Sequence, residues 1–254
     1  MGVIRVVIVT REAWRSLGPL NPNAFPESFR GYCFAAAEQL SLVQHAAEQV
    51  ALSLELDRQS FLRAVQESNE FRGASPDPNK PSILLNYSLR CLGSVHVVLM
   101  ATKAFMDVFA QMMTAAIRPG QAIRGFNKAS RDGKKVPGWR VVRWLRDLPD
   151  GLFSHRDTMI NHLIAAIDGW LAEAIHYRDE VAHSGQIQQY AHMALPFLKL
   201  PKDLTLSEIQ DPRMPNGQQV AEYSAGIAQK ILDLVDTTSR LLPGVQAELL
   251  GRER

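Results

Sequence analysis

Three side chains that could act on a phosphodiester lie within one short segment, Ile175-His176-Tyr177-Arg178-Asp179-Glu180-Val181-Ala182-His183-Ser184-Gly185. Arg178 is a permanent cation, able to hold a phosphate oxygen and offset the charge of a pentacoordinate transition state. His183 could donate or accept a proton at a ribose 2′-hydroxyl or 5′-oxygen, and Asp179 could orient one of the other two. Such chemistry needs no metal ion.

The spacing of Arg178 and His183 constrains how they could cooperate. They are five residues apart, which is about 140° around an ideal helix, so they do not share a face. Two arrangements could bring them to one phosphate. In the first, the helix ends between them and turns His183 inward, which Gly185 favours as a typical residue after a helix end. In the second, a two-fold partner supplies the other member of each pair.

Position along the helix also bears on the chemistry of His183. An imidazole in the last turn lies at the negative end of the helix dipole, which favours its protonated form. A protonated imidazole in that place could transfer a proton during cleavage. It could equally serve only to complement the dipole, together with Arg178, and this structural interpretation stays open.

The run Arg178-Asp179-Glu180-Val181-Ala182-His183-Ser184-Gly185 resembles the signature of the HEPN (higher eukaryotes and prokaryotes nucleotide-binding) superfamily. That signature is an Arg, a polar residue, about three to five further residues and a His, commonly followed by a small residue. Arg178, Asp179 and His183 match it. The resemblance covers this motif and the helical layout of the chain.

The resemblance implies a helical bundle, a homodimer with paired motifs at its interface, and metal-independent endoribonuclease activity. Arg178, Asp179 and His183 are then the catalytic residues. Many members of the superfamily belong to toxin–antitoxin, phage-defence or RNA-processing systems, so a cognate antitoxin or another partner protein is also implied. Some members are inert, and a non-catalytic helical dimerisation or interaction module is therefore the alternative.

A basic segment, residues 118–146, holds nine Lys and Arg residues against Asp132 alone, so it carries about +8. One interpretation is a track for an RNA backbone, and the other is a solvated loop. Trp139, Trp144 and Phe126 lie between the cations, as stacking surfaces would, although anchoring to a helix explains the two Trp equally well. The candidate RNA-binding residues are Arg124, Lys128, Arg131, Lys134, Lys135, Arg140 and Arg143.

Other chemistry has less support in the sequence. Glu173 and His176 have the spacing of a di-iron ligand pair on a helix, but the second pair and the further Glu residues that such a site requires are not found. No nucleotide-binding Gly motif or nucleophile elbow stands out. The sequence predicts no metal and no cofactor, and it predicts that Cys33 and Cys91 are reduced thiols.

Composition is that of a globular protein with a sizeable core, with 46% hydrophobic and 21% charged residues in 254. The net charge of +2 leaves the chain outside the basic segment net acidic.

The most apolar run, Cys91 to Ile117, contains Lys103 and Asp107, which could pair four residues apart. We therefore expect a core helix and not a membrane span. The apolar start at residues 3–10 is interrupted by Arg5 and does not predict a signal peptide. A cytoplasmic protein without membrane contact follows.

The apolar residues recur with helical spacing over five stretches, about 29–54, 57–71, 82–118, 157–182 and 218–242. Asp57 is the expected cap of the second stretch. Residues 3–10 and 187–198 could form a small β element. The sequence thus predicts a single all-α domain over residues 1–254. It is a bundle of four to five long helices with a basic insertion at 118–146 and a C-terminal helix at 218–242.

Overall fold

The structure is a computed structural model that describes residues 27–67, 82–84, 89–118, 123–184, 192–194 and 212–252. In these residues 78% of the chain is helical, which confirms the all-α class. The helices are α1 (Glu27–Glu67), α2 (Leu89–Ile117), α3 (Trp139–Arg146), α4 (Arg156–Ala166), α5 (Ala172–Ser184) and α6 (Val220–Arg252). A π-helical turn, Ile167–Leu171, joins α4 to α5 without a break. The strands are β1 (Ser82–Leu84), β2 (Ala129–Arg131), β3 (Lys134–Val136) and β4 (His192–Ala194).

Helix α2 is the centre of the bundle, and it packs against α1, α5 and α6. Its apolar residues cover most of the circumference, so a helix with several neighbours buries more of them than a surface helix could. Phe105, Met106, Phe109 and Met113 are fully buried. Burying each such side chain contributes about 1.5–3 kcal/mol. Helix α1 covers one side of α2 with a stripe of buried apolar residues at spacings of three and four, among them Phe29, Ala36, Leu40, Val43, Val50 and Leu54.

Of the described helices, the segment Arg90–Ile117 of α2 has the length and apolar composition of a membrane span. It also carries the predicted charged pair, since Lys103 Nζ lies 2.6 Å from Asp107 Oδ2. Its packing against three neighbouring helices is that of a core helix. These features are compatible with a soluble protein.

Several predicted boundaries were wrong. No new helix starts at Asp57, because α1 runs unbroken to Glu67 through residues that include no Pro or Gly after Gly31. The helix predicted from residue 82 begins at Leu89, and Ser82–Leu84 is a strand. The C-terminal helix does not end at residue 242 but continues through Pro243 to Arg252. A proline removes one backbone donor from a helix, and tertiary packing can outweigh that loss.

The predicted small β element was correct in part. Strand β4 lies inside the predicted range 187–198 and pairs antiparallel with β1, with Ile83 opposite Met193. The predicted strand at residues 3–10 lies outside the described residues, and so does Gly185. The predicted helix at 157–182 is confirmed by α4, the π-helical turn and α5.

The described part of the basic segment has a compact structure of its own. Strands β2 and β3 form a hairpin with Arg131 opposite Lys134. Its two-residue turn requires positive φ at both positions, and Asp132 (51°) and Gly133 (79°) provide it. Helix α3 follows, with Gly138 before it at a φ of 73°. A Cβ at Gly138 would lie 1.9 Å from the ring of Phe126, so a larger residue does not fit there.

Candidate functional site

The three motif residues lie on α5, and the helix continues through all of them to Ser184. Ala174, Ile175 and Tyr177 are buried and fix the rotation of the helix on the bundle. Because the helix does not end between Arg178 and His183, the first of the two expected arrangements is not found. The two residues are separated by about 140° around the axis and about 7.5 Å along it. A single chain therefore does not bring them together on one face.

Asp179 lies between two cations. Its Oδ1 accepts a hydrogen bond from Arg178 Nη1 at 2.7 Å, and its Oδ2 accepts one from Lys128 Nζ at 2.7 Å. The side chains of Arg178 and Asp179 are 28% and 21% exposed, whereas that of Lys128 is 50% exposed. Partial burial raises the pKa of Asp179, but the hydrogen bonds and charges of Lys128 and Arg178 outweigh burial and hold the pKa below its ordinary value. Of the two residues that Asp179 could orient, it contacts Arg178.

Arg178 retains unused donor capacity. Its Nε is buried and has no hydrogen-bond partner among the described residues. A guanidinium held at one Nη by a carboxylate can still donate from its other nitrogen atoms. The contact with Asp179 therefore orients Arg178 without using all of its hydrogen-bond donors.

His183 is exposed in the last turn of α5. The other histidine of this segment, His176, is also exposed, and its Nε2 lies 3.3 Å from Glu180 Oε1 on the same helix. Glu173, the other member of the di-iron-like spacing, accepts a hydrogen bond from Asn216 Nδ2 at 2.9 Å. Within the described ranges no group of three or more His, Cys, Asp or Glu residues is placed to hold a metal ion.

A cleft of about 750 Å³ opens on the basic segment next to the motif. We call it the cationic cleft. Its charged lining consists of five cations and one carboxylate, which are Arg124, Lys128, Lys135, Arg140, Arg143 and Asp147. Five of the seven predicted RNA-binding residues therefore line one cleft. The other two, Arg131 and Lys134, do not line it.

Hydrogen bonds from α2 position the start of this cleft. Asp107 Oδ1 accepts a hydrogen bond from the backbone N–H of Phe126 at 2.7 Å, and Thr114 Oγ1 accepts one from that of Ile123 at 3.0 Å. Gln111 Nε2 donates to the carbonyl oxygen of Arg124 at 3.1 Å. The loop that carries Arg124 and Lys128 is thus fixed to the central helix.

The three aromatic residues of the basic segment have different roles. Phe126 is fully buried, and Trp139 is 7% exposed. The guanidinium groups of Arg131 and Arg146 lie over the Trp139 ring at 4.4 Å and 5.2 Å. Trp144 is half-buried and lines the cationic cleft. Of the three predicted stacking surfaces, only Trp144 is therefore placed to contact a ligand there.

Arg131 connects the hairpin to the helix that carries the motif. Its Nη1 lies 2.5 Å from Oδ1 of Asp168, a residue of the π-helical turn. Together with the pair of Lys128 and Asp179, this ion pair joins the basic segment to α5 and the turn before it. The basic segment and the motif are therefore parts of one continuous surface.

Both cysteines are buried thiols outside any disulfide bond, in line with the predicted reduced state. Burial raises the pKa of the Cys33 thiol to about 12. The nucleophilic form of cysteine is the thiolate, so Cys33 is an unreactive core residue.

Sequence reasoning missed two parts of this site. The hairpin had a local signal, the Asp132-Gly133 pair, which is a strong marker of a two-residue β-turn. The contact between Lys128 and Asp179 joins residues 51 positions apart and had no local signal.

Comparison of the chain with protein-family models, with curated proteins and with solved structures finds no match. The functional assignment therefore rests on the geometry of the motif and of the cationic cleft.

Proposed function

We propose that this chain is a HEPN-like RNA-binding protein that cleaves RNA endonucleolytically, without a metal ion, as a homodimer. Arg178 binds the scissile phosphate, His183 transfers protons and Asp179 orients Arg178. The cationic cleft holds the RNA backbone beside these residues. We place the protein in the cytoplasm, where a cognate antitoxin or another partner protein would control it.

The observation that carries this proposal is that Lys128 belongs to the cationic cleft and also contacts the motif. Lys128 lines the cationic cleft, and it also donates a hydrogen bond to Asp179 of the motif. A polyanion bound along the cleft therefore passes next to the motif. Phosphate contacts supply most of the affinity for RNA, and the reacting groups need only lie along the path of the backbone.

The chemistry follows from the side chains available. Removal of the proton from a ribose 2′-hydroxyl lets that oxygen attack the adjacent phosphorus, and the bond to the 5′-oxygen breaks as it takes up a proton. The products carry a cyclic phosphate and a free 5′-hydroxyl. Arg178 stabilises the additional negative charge of the transition state, because it is a fixed cation with free N–H groups. An exposed His183 can exchange protons with solvent between cycles.

The geometry of α5 supports the homodimer as part of this proposal. Arg178 and His183 of one chain lie on different faces of a continuous helix. A two-fold axis beside α5 would set Arg178 of one protomer opposite His183 of the other and so form two equivalent sites.

A second candidate is a non-catalytic helical interaction module, and the position of Asp179 favours it. The carboxylate is satisfied by two cations, and Arg178 is mostly buried. Such a cluster could serve only to attach the basic segment to α5. In that case Arg178→Ala and His183→Ala would each lower the free energy of unfolding by about 1 kcal/mol or more, and RNA would remain intact.

Cleavage in the presence of a chelator tests the proposed function. Purified protein is incubated in EDTA with unstructured and hairpin RNAs, and the product ends are identified. We expect cleavage that leaves cyclic phosphates and falls about 100- to 10,000-fold in His183→Ala. His45→Ala, a change at an exposed histidine of α1, is the matched control and should retain full activity.

Two results would contradict catalysis by this site. One is a wild-type protein that cleaves no RNA. The other is cleavage that His183→Ala leaves unchanged, which would assign the activity to different residues or to a contaminant.

A further inference from the structure

The cations of the cationic cleft fall into two groups. Lys128 is paired with Asp179. Arg124, Lys135, Arg140 and Arg143 have no carboxylate within ion-pair distance among the described residues, and the cleft has one acidic residue in its lining, Asp147. Four cations that have no carboxylate partner in the described part of the chain create a positive potential on one concave surface, and this potential favours an anionic ligand.

An aromatic ring shares this surface with the cations. Arg140, Arg143 and Trp144 lie on α3, and the spacings of three and four place both Arg140–Arg143 and Arg140–Trp144 side by side on the helix. Because Trp139 is buried under two guanidinium groups, it is unavailable to a ligand, whereas Trp144 is half-buried at the cleft. A ligand that matches this surface would combine negative charge with a flat apolar ring.

Single-stranded nucleic acid has this combination, and a duplex does not. In an A-form helix the base faces are hidden in the stack, and a protein meets mainly phosphates and hydroxyl groups. In a single strand each base can leave its neighbours and stack on an aromatic side chain. A cleft of about 750 Å³ is in the size range of sites that enclose a ligand of one or a few rings.

We propose that the cationic cleft is a single-strand-specific RNA-binding site, in which one base stacks on Trp144 and the flanking phosphates contact Arg124, Arg140 and Arg143. This inference rests on the proposed function for the choice of RNA. It adds that the substrate is single-stranded and that Trp144 selects the single strand. The helical motif on α5 then acts on a strand that is already unpaired.

Binding measurements in the His183→Ala background test this inference, because the RNA stays intact there. The probe is a fluorescent single-stranded RNA of about 12 nucleotides, compared with a hairpin duplex of equal length at the same salt concentration. We expect the single strand to bind about tenfold more tightly. Trp144→Leu should weaken single-strand binding about 5- to 150-fold, and Trp144→Phe should restore most of it.

Trp170→Leu is the matched control, since Trp170 is also half-buried but belongs to the π-helical turn and does not line the cleft. It should leave the affinity for both RNAs unchanged. A further measurement keeps Trp144 in place, so that its result does not depend on whether the Trp144 variants fold. RNA that carries 2-aminopurine should lose fluorescence on binding the protein, because the base stacks on the indole.

The outcomes separate the inference from the proposed function. If neither RNA binds, the proposed function fails and the inference fails with it. If both RNAs bind equally and Trp144→Leu has no effect, the inference is overturned while RNA binding stands. Tighter binding of the duplex, or of single-stranded DNA of the same sequence, also overturns it.

Discussion

At the scale of single residues, Asp179 determines how the motif is joined to the rest of the molecule. It receives hydrogen bonds from Arg178 on its own helix and from Lys128 in the basic segment. Charge-assisted hydrogen bonds at a site that is only 21% exposed are stronger than those of a surface pair. Asp179 therefore contributes both to stability and to the position of Arg178.

The acid sensitivity of Asp179 gives a first prediction at this scale. Its pKa is lower in the folded protein than in the unfolded chain, so it stabilises the fold above its ordinary pKa of 3.8. That contribution is lost as the pH falls through the folded value. We expect Asp179→Asn to lower the free energy of unfolding by about 1–2 kcal/mol at neutral pH. The difference from wild type should shrink near about pH 2.

Urea unfolding at the two pH values measures this effect. Asp236→Asn is the control, because Asp236 pairs with Arg240 on the surface, with side chains 41% and 71% exposed. It should cost about 0.5 kcal/mol or less. A loss of stability in Asp179→Asn that is the same at both pH values would contradict the assignment.

At the scale of elements, helical periodicity predicted the bundle well. The spacing of Ala37, Leu40, Ala47, Val50 and Leu54 predicted the buried stripe of α1, but Phe34, which belongs to the same periodic set, is exposed. The circumferential apolar pattern of α2 predicted a central helix. The helix boundaries were less accurate, because Asp57 and Pro243 have a low preference for helix interiors, and the preference of one residue does not by itself end a helix.

The cationic cleft could be predicted only in part. The charge excess of residues 118–146 was evident from the sequence. The sequence did not show which of those cations form ion pairs. Arg131 pairs with Asp168 and Lys128 pairs with Asp179, and both pairs join elements that are distant in the sequence. The burial of Trp139 and Phe126 likewise depends on how α3 packs.

The salt dependence of RNA binding tests the role of α3. Each phosphate neutralised on a single strand contributes about 0.7 to the slope of log affinity against log salt concentration. The double variant Arg140→Ala/Arg143→Ala removes two unpaired cations and should reduce the magnitude of the slope by about 1.4. Filter binding or anisotropy over a salt series measures this slope.

The control for this experiment is Arg90→Ala/Lys230→Ala, which removes two exposed cations outside the cleft. It should leave the slope unchanged. Equal reductions in the two double variants would show that net charge, and not the cleft, determines binding.

At the scale of the whole molecule, charge and symmetry act together. The chain has a net charge of +2, although residues 118–146 alone carry about +8, so the rest of the chain carries about −6. If the chain binds RNA as proposed, this charge distribution favours the basic segment, which Lys128 and Arg131 attach to the motif helix and the π-helical turn before it. In the proposed function, a second copy of the chain completes each site, because Arg178 and His183 of one chain lie on different faces of α5.

The most direct test of this account is a mixing experiment with two inactive variants, Arg178→Ala and His183→Ala. If each site combines Arg178 of one protomer with His183 of the other, the mixed dimer has one intact site. Equilibration of equal amounts should then recover about a quarter of wild-type cleavage, because half of the dimers are mixed and each has one of two sites. Cleavage that stays at the level of the separate variants, although mass spectrometry detects the mixed dimer, would contradict a site shared between protomers.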